Sequence, residues 1–167
     1  MQATVSALKR FVARRSTSIV LLAGLCGLLL PLEASAINCR ATITPLIFGT
    51  YMPMSTVNLD VAGNISVRCM AQPGSFSVLI GPGMSADQTD RTLMGSAGGI
   101  LHYNLYLNAG RGQIWGDGNG PTFTASGVRS TTGRPTNYDY PVYGRIFSNQ
   151  DPVPGTYSDN VLVTLLF

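Results

Sequence analysis

After residue 36 this chain contains no lysine and no glutamate. Its charge there comes from seven arginines (40, 68, 91, 111, 129, 134 and 145) and seven aspartates (60, 87, 90, 117, 139, 151 and 159), a formal balance of zero. The overall excess of +3 therefore belongs to the first 36 residues. A balanced chain has no electrostatic case for nucleic acid or an anionic membrane as partner. It has one histidine, His102, and one tryptophan, Trp115. There is no G-x-S-x-G and no H-E-x-x-H, so neither a serine-hydrolase elbow nor a zinc-protease helix is encoded. With His102 alone in an apolar strand, no nucleophile–base–acid set can be assembled, and no enzyme is expected. No cofactor and no metal site is expected either. Asp117-Gly118-Asn119-Gly120 lacks the longer ligand ladder and closing glutamate of a calcium loop, and reads as a turn.

Long apolar runs are confined to the start. Lys9, Arg10, Arg14 and Arg15 make a basic head, Ile19–Leu32 an apolar stretch, and Ala34-Ser35-Ala36 a small-residue cleavage site. This is the pattern of a secretory signal peptide over 1–36, too short in its apolar part to span a bilayer. Leu25 before Cys26 is too large for a lipoprotein signal, and Ser16-Thr17-Ser18 breaks a twin-arginine pattern. The mature part, 37–167, is then a single exported domain without a membrane anchor.

Two cysteines remain, Cys39 and Cys69. An exported chain with two cysteines pairs them; free thiols or half a zinc site are the alternatives. A closed loop of roughly 30 residues is worth roughly 3–4 kcal/mol in the chain-entropy account.

Helical periodicity is absent, and short alternating runs between Gly, Pro, Asn and Asp indicate an all-β domain of seven or eight strands, a β-sandwich. The expected strands are 40–48 (bent by Pro45), 57–61, 64–69, 76–80, 101–107, a short 113–115, 123–129, 141–147 and 157–167, with Gly63-Asn64 as a turn. Asp87-Gln88-Thr89-Asp90-Arg91 reads as a solvated loop in which Asp87 or Asp90 pairs with Arg91. Trp115 is expected in the core. The last strand places Val161, Val163, Leu165 and Phe167 on one face, with Leu162 and Leu166 on the other. A strand apolar on both faces belongs inside a sheet, yet nothing after it can pair its second edge. An open apolar edge invites a strand from another chain.

Cys39, Phe48-Gly49, Gly63–Cys69, Asp90-Arg91-Thr92-Leu93, Tyr103–Tyr106, Tyr143-Gly144-Arg145-Ile146 and Gly155–Thr164 occur in this order. The ordered set resembles the spore coat protein U domain family, which includes subunits of archaic chaperone–usher pili such as Csu pili. The resemblance implies an incomplete immunoglobulin-like sandwich lacking its final strand. A periplasmic chaperone would lend that strand, and a neighbouring subunit would replace it at an outer-membrane usher. Val161, Val163, Leu165 and Phe167 would border the acceptor groove. A donating subunit needs roughly ten residues ahead of its first strand at ~3.3 Å each, and cleavage after Ala36 leaves only Ile37 and Asn38 before Cys39. A tip or minor subunit that accepts but does not donate is therefore expected, in a pilus or in a spore or cyst coat. Loops 81–100 and 116–140 are the places for any adhesive surface. The alternative is a self-complete secreted sandwich whose loops bind a carbohydrate or a surface.

Overall fold

A computed structural model describes residues 39–70, 73–129 and 134–167, and the backbone of 2–8. The strands are β1 (Gln2–Leu8), β2 (Cys39–Thr44), β3 (Leu46–Thr50), β4 (Leu59–Cys69), β5 (Gly74–Ile80), β6 (Arg91–Gly95), β7 (Ile100–Tyr106), β8 (Ile114–Trp115), β9 (Thr122–Phe123), β10 (Ala125–Arg129), β11 (Thr136–Ile146) and β12 (Thr156–Leu166). One 3-10 turn, Gly83–Ser85, is the sole helical piece among the described residues. No helix among them is long and apolar enough to cross a membrane.

The strands form an immunoglobulin-like sandwich. One layer runs β2-β4-β11-β7-β6, all antiparallel. The other runs β10-β5-β12-β1-β3. β12 serves both: Val163–Leu166 pair with β5, while Tyr157 and Ser158 pair with β6. Alternation builds the core. In β4, Ile65, Val67 and Cys69 are each 1% exposed while Arg68 faces solvent. Burying such a side chain contributes about 1.5–3 kcal/mol. Between the layers Phe76 meets Tyr138 edge-on at 5.3 Å, and Phe48 meets Tyr103 at 6.0 Å. Trp115 is in the core as expected, and its Nε1 donates to the Val78 carbonyl at 2.9 Å.

Several expectations need correction. Gly63-Asn64 is no turn: β4 runs through it, paired with β2 and β11. A Cβ at Gly63 would lie 2.8 Å from Leu46 Cδ1, so the glycine serves close approach of β3, not chain reversal. Strand 141–147 begins earlier, at Thr136. Pro141 is tolerated inside it because only β4 pairs there; β7 joins from Tyr143. Strand 123–129 is broken at Thr124 into β9 and β10. Arg91 opens β6 and is completely buried, where a solvated loop was expected. The count reaches twelve among the described residues because 40–48 divides at Pro45 and 123–129 at Thr124, β6 is added and β1 arises within 1–36, while 57–61 and 64–69 merge into β4. Apart from β1, the signal-peptide expectation falls outside the described residues.

Candidate strand-acceptor groove

Among the described residues of 39–167, no strand fills the ladder position between β3 and β12. β1 occupies it. It runs parallel to β12, from Gln2 opposite Thr156 to Leu8 opposite Leu162, and antiparallel to β3, from Gln2 opposite Thr50 to Val5 opposite Leu46. Among the described residues β3 has no other ladder partner. Pro45, the break between β2 and β3, ends the pairing of β2 with β4 and lets β3 join the other layer.

The groove floor follows from alternation. β12 turns Tyr157, Asp159, Val161, Val163 and Leu165 inward, and β3 turns in Leu46 and Phe48. Of the four residues expected to border the groove, Val161 is in register with Ala7 of β1. Val163 and Leu165 are buried beyond the end of β1, where β5 holds the opposite edge of β12. Phe167 is half-buried, and the Arg129 guanidinium lies 5.6 Å from its ring centroid. Leu162 and Leu166 lie on the outer face, 37% and 43% exposed. Where β1 stops, a cavity of about 20 Å³ remains among Ile43, Pro45, Leu46, Leu105, Val161 and Val163. Apart from Thr44 its lining is apolar and gives water few partners. Cys39 and Cys69 are disulfide-bonded across β2 and β4, in direct register at one end of the same sandwich.

A polar knot lies beneath the floor. The Asp159 carboxylate is fully buried and accepts from the Tyr103 hydroxyl at 2.6 Å and from the Met84 amide at 2.9 Å. Gly83 (φ +72°) passes so close that a Cβ would lie 2.0 Å from Asp159 Oδ2. Burial, then the neighbouring Asp159 charge, pushes the Tyr103 hydroxyl far above its ordinary value. Arg91 donates to the Gly81, Gln88 and Trp115 carbonyls at 2.8–3.0 Å and to Asn104 Oδ1 at 2.5 Å. Burial pulls its guanidinium below the ordinary value, with Tyr103 and Asp159 opposing. Sequence reasoning missed β3 as the second bank, and missed Asp159 and Arg91 as floor supports. The signal was present in Phe48-Gly49, Asp90-Arg91-Thr92-Leu93 and the aspartate of the last strand.

The remaining titratable candidates are elsewhere. His102 points away from Tyr103, and its Nδ1 is 2.7 Å from Asp90 Oδ1. Asp90 thus pairs with His102 and not with Arg91, while Asp87 accepts from the Thr89 amide and hydroxyl at 2.7 Å. Among the described residues no hydroxyl or thiol bonds to the His102 ring. Asp117 accepts from the Asn119 amide at 3.0 Å and its Nδ2 at 2.9 Å, an Asx turn whose bonds hold the carboxyl below its ordinary value. No group of three or more metal-ligating side chains occurs among the described residues.

A family model described as the Spore Coat Protein U domain matches residues 28–164. None of the curated proteins matches the chain. Among solved structures it is similar to a chain in the crystal structure of the CsuC–CsuE chaperone–tip adhesion subunit pre-assembly complex from archaic chaperone–usher Csu pili of Acinetobacter baumannii. The identity is 22% and the TM-score 0.56, over 79% of this chain and 40% of that one. At this identity the likeness is one of fold, and the chain spans less than half the length of its neighbour.

Proposed function

The chain belongs to the Spore Coat Protein U domain family, and from that premise we propose that it is an exported structural subunit of a chaperone–usher pilus or surface coat, assembled by strand donation. One observation carries the reading: among the described residues, the sole ladder partner of β3, and the partner of one edge of β12 over Thr156–Leu162, is a strand drawn from residues 1–36. Removal of a signal peptide there takes β1 away. The groove then has two unpaired backbone edges over an apolar floor, which is the substrate of strand addition. A periplasmic chaperone supplies the strand first, and a neighbouring subunit replaces it at an outer-membrane usher. With Ile37 and Asn38 alone ahead of Cys39, this subunit accepts and does not donate, which suits a tip or minor position. The domain has no catalytic role in this reading.

A second reading has its own support, because β1 comes from the same chain. If residues 1–36 are retained, the sandwich completes itself and acts as a secreted binding module. Export of the full chain with and without a candidate chaperone separates the two. A one-to-one complex, with degradation or aggregation of the chain alone and an N-terminus at Ile37, supports the subunit. A stable soluble monomer beginning before Gln2 supports the self-complete module and overturns strand acceptance.

A further inference from the structure

We propose that the outer face of β2-β4-β11 is a binding site for an acidic saccharide, whose anionic group sits between the side chains of Arg40 and Arg68. These two residues are direct cross-strand partners. Both are exposed, and like charges at directly opposed positions repel. Four other arginines are managed differently. Asp60 takes both Arg145, at 2.8 Å through two nitrogens, and Arg111, at 3.2 Å. Arg91 is buried among carbonyls, and Arg129 covers Phe167. Among the described residues neither Arg40 nor Arg68 meets a carboxylate.

The nearby carboxylate is spent elsewhere. Asp139 accepts from the Ser66 hydroxyl and from Asn64 Nδ2 at 3.2 Å, and these bonds hold it below the ordinary carboxylate range. It stays ionised without neutralising the arginines. Charge on an outer strand can serve simply to block edge pairing. That accounts for Arg40 on β2, but not for Arg68, because β4 is flanked by β2 and β11.

The register completes the site. Arg40, Arg68 and Asn137 form one row across three strands, and Thr42, Ser66 and Asp139 form the next. Together they line a depression of about 450 Å³. Two guanidinium forks match the planar oxygens of a carboxylate, or a sulfate, better than lysine would. The adjoining hydroxyl, amide and carboxylate groups suit the alternating donors and acceptors of sugar hydroxyls. A polyphosphate fits less well, since it has no hydroxyls for the row of Thr42, Ser66 and Asp139 and would meet the Asp139 charge. The face lies on the layer opposite β3 and β12, so it stays open when the groove is filled. The inference does not depend on who fills it.

The test is calorimetric titration of the exported chain, with any strand donor it needs, against polygalacturonate, heparin and neutral dextran. Binding to at least one acidic polymer, weakened by salt and absent with dextran, is expected. Arg40→Gln and Arg68→Gln should each weaken it about tenfold or more. The Arg40→Lys/Arg68→Lys pair keeps charge without the fork and should fall between. Unchanged thermal unfolding of the variants shows that folding is not the cause. Polygalacturonate against heparin identifies the anion as carboxylate or sulfate. The site is overturned if neither acidic polymer binds, if dextran binds equally, or if the glutamine variants bind as the parent does. Aggregation of Arg40→Gln with unaltered binding would reduce the arginine to an edge guard and also overturn it.

Discussion

The Tyr103 hydroxyl donates to Asp159 Oδ2 at 2.6 Å with neither side chain exposed to solvent. It ties β7 of one layer to β12 of the other, directly under the groove. Tyr103→Phe keeps the ring and deletes the donor, leaving a buried carboxylate with the Met84 amide as its remaining bond. A hydrogen bond to a charged group contributes about 1.5–3 kcal/mol. A loss of unfolding free energy of that order, read as a lowered urea midpoint, is expected for the strand-complemented protein, and an unchanged midpoint would contradict the role given to the pair.

The same bond has a pH signature. Tyr103 keeps its proton in the folded state well past the ordinary tyrosine value, while the unfolded chain loses it near pH about 10. The unfolded state therefore binds fewer protons above that pH, and stability falls as pH rises. Tyr140, pushed up to about 12 by burial and then by Tyr138, adds to the slope. Stability measured between pH 9 and 12 should decline less steeply in Tyr103→Phe than in the parent. Identical slopes would show that the shift on Tyr103 is not real.

Arg91 should tolerate no substitution. Arg91→Met empties a guanidinium site, leaves the Gly81, Gln88 and Trp115 carbonyls without their side-chain donor, and leaves Asn104 Oδ1 with the Leu105 amide alone. Each buried group so abandoned costs about 1–3 kcal/mol. Arg91→Lys supplies one compact charge where a planar fork spans several acceptors, and should recover only part of the loss. Periplasmic yield and urea midpoints should rank parent, lysine, methionine. A methionine variant as stable as the parent would mean that the buried charge costs what its bonds return, as some buried ion clusters do.

Arg91 also marks what sequence could and could not reveal. Faces were legible wherever one side of a strand is wet: Ile65, Val67 and Cys69, or Val161, Val163 and Leu165, alternate with exposed residues. Charge pointed the wrong way for Arg91, because a guanidinium reads as surface unless its carbonyl partners are known, and these come from positions 80–115. Gly63 misled for a related reason. Glycine serves both turns and close approaches, and the choice depends on Leu46, which reaches it only after folding. The open edge of β12 was legible; its opposite bank β3 was not, since pairing across more than a hundred residues leaves no local pattern. Gln2–Leu8 reads as the head of a signal peptide, and its strand form depends on the groove that receives it.

The disulfide is expected to govern stability more than assembly. Cys39 and Cys69 close a 30-residue separation, which the chain-entropy account values at roughly 3–4 kcal/mol. Cys39→Ser/Cys69→Ser should lose unfolding free energy of that order and unfold at lower urea. The bond lies in the β2–β4 pair, outside the groove banks, so variant that survives export should still be recovered with a strand donor. Loss of the complex without loss of midpoint would place the cysteines in the groove machinery instead.

Gly144 connects packing to the acceptor function. It sits in β11 beneath the bank formed by β3, where a Cβ would lie 2.6 Å from Leu46 Cδ2 and 2.7 Å from Phe48 Cζ. Both clashes are with side chains, so β3 can respond by shifting. Overpacking of this kind costs about 1–3 kcal/mol. Because Leu46 and Phe48 belong to the strand that frames the groove, Gly144→Ala should impair strand acceptance beyond its effect on folding. The expected readout is a reduced yield of the donor-bound complex, with a lowered urea midpoint. Leu46→Ala relieves the contact from the other side. In the double variant the loss should be smaller than the sum of the two single losses, since the residues touch and their effects couple. Strict additivity would show that β3 and β11 do not press on each other, and that the glycine is there for some reason other than room for the groove's second bank.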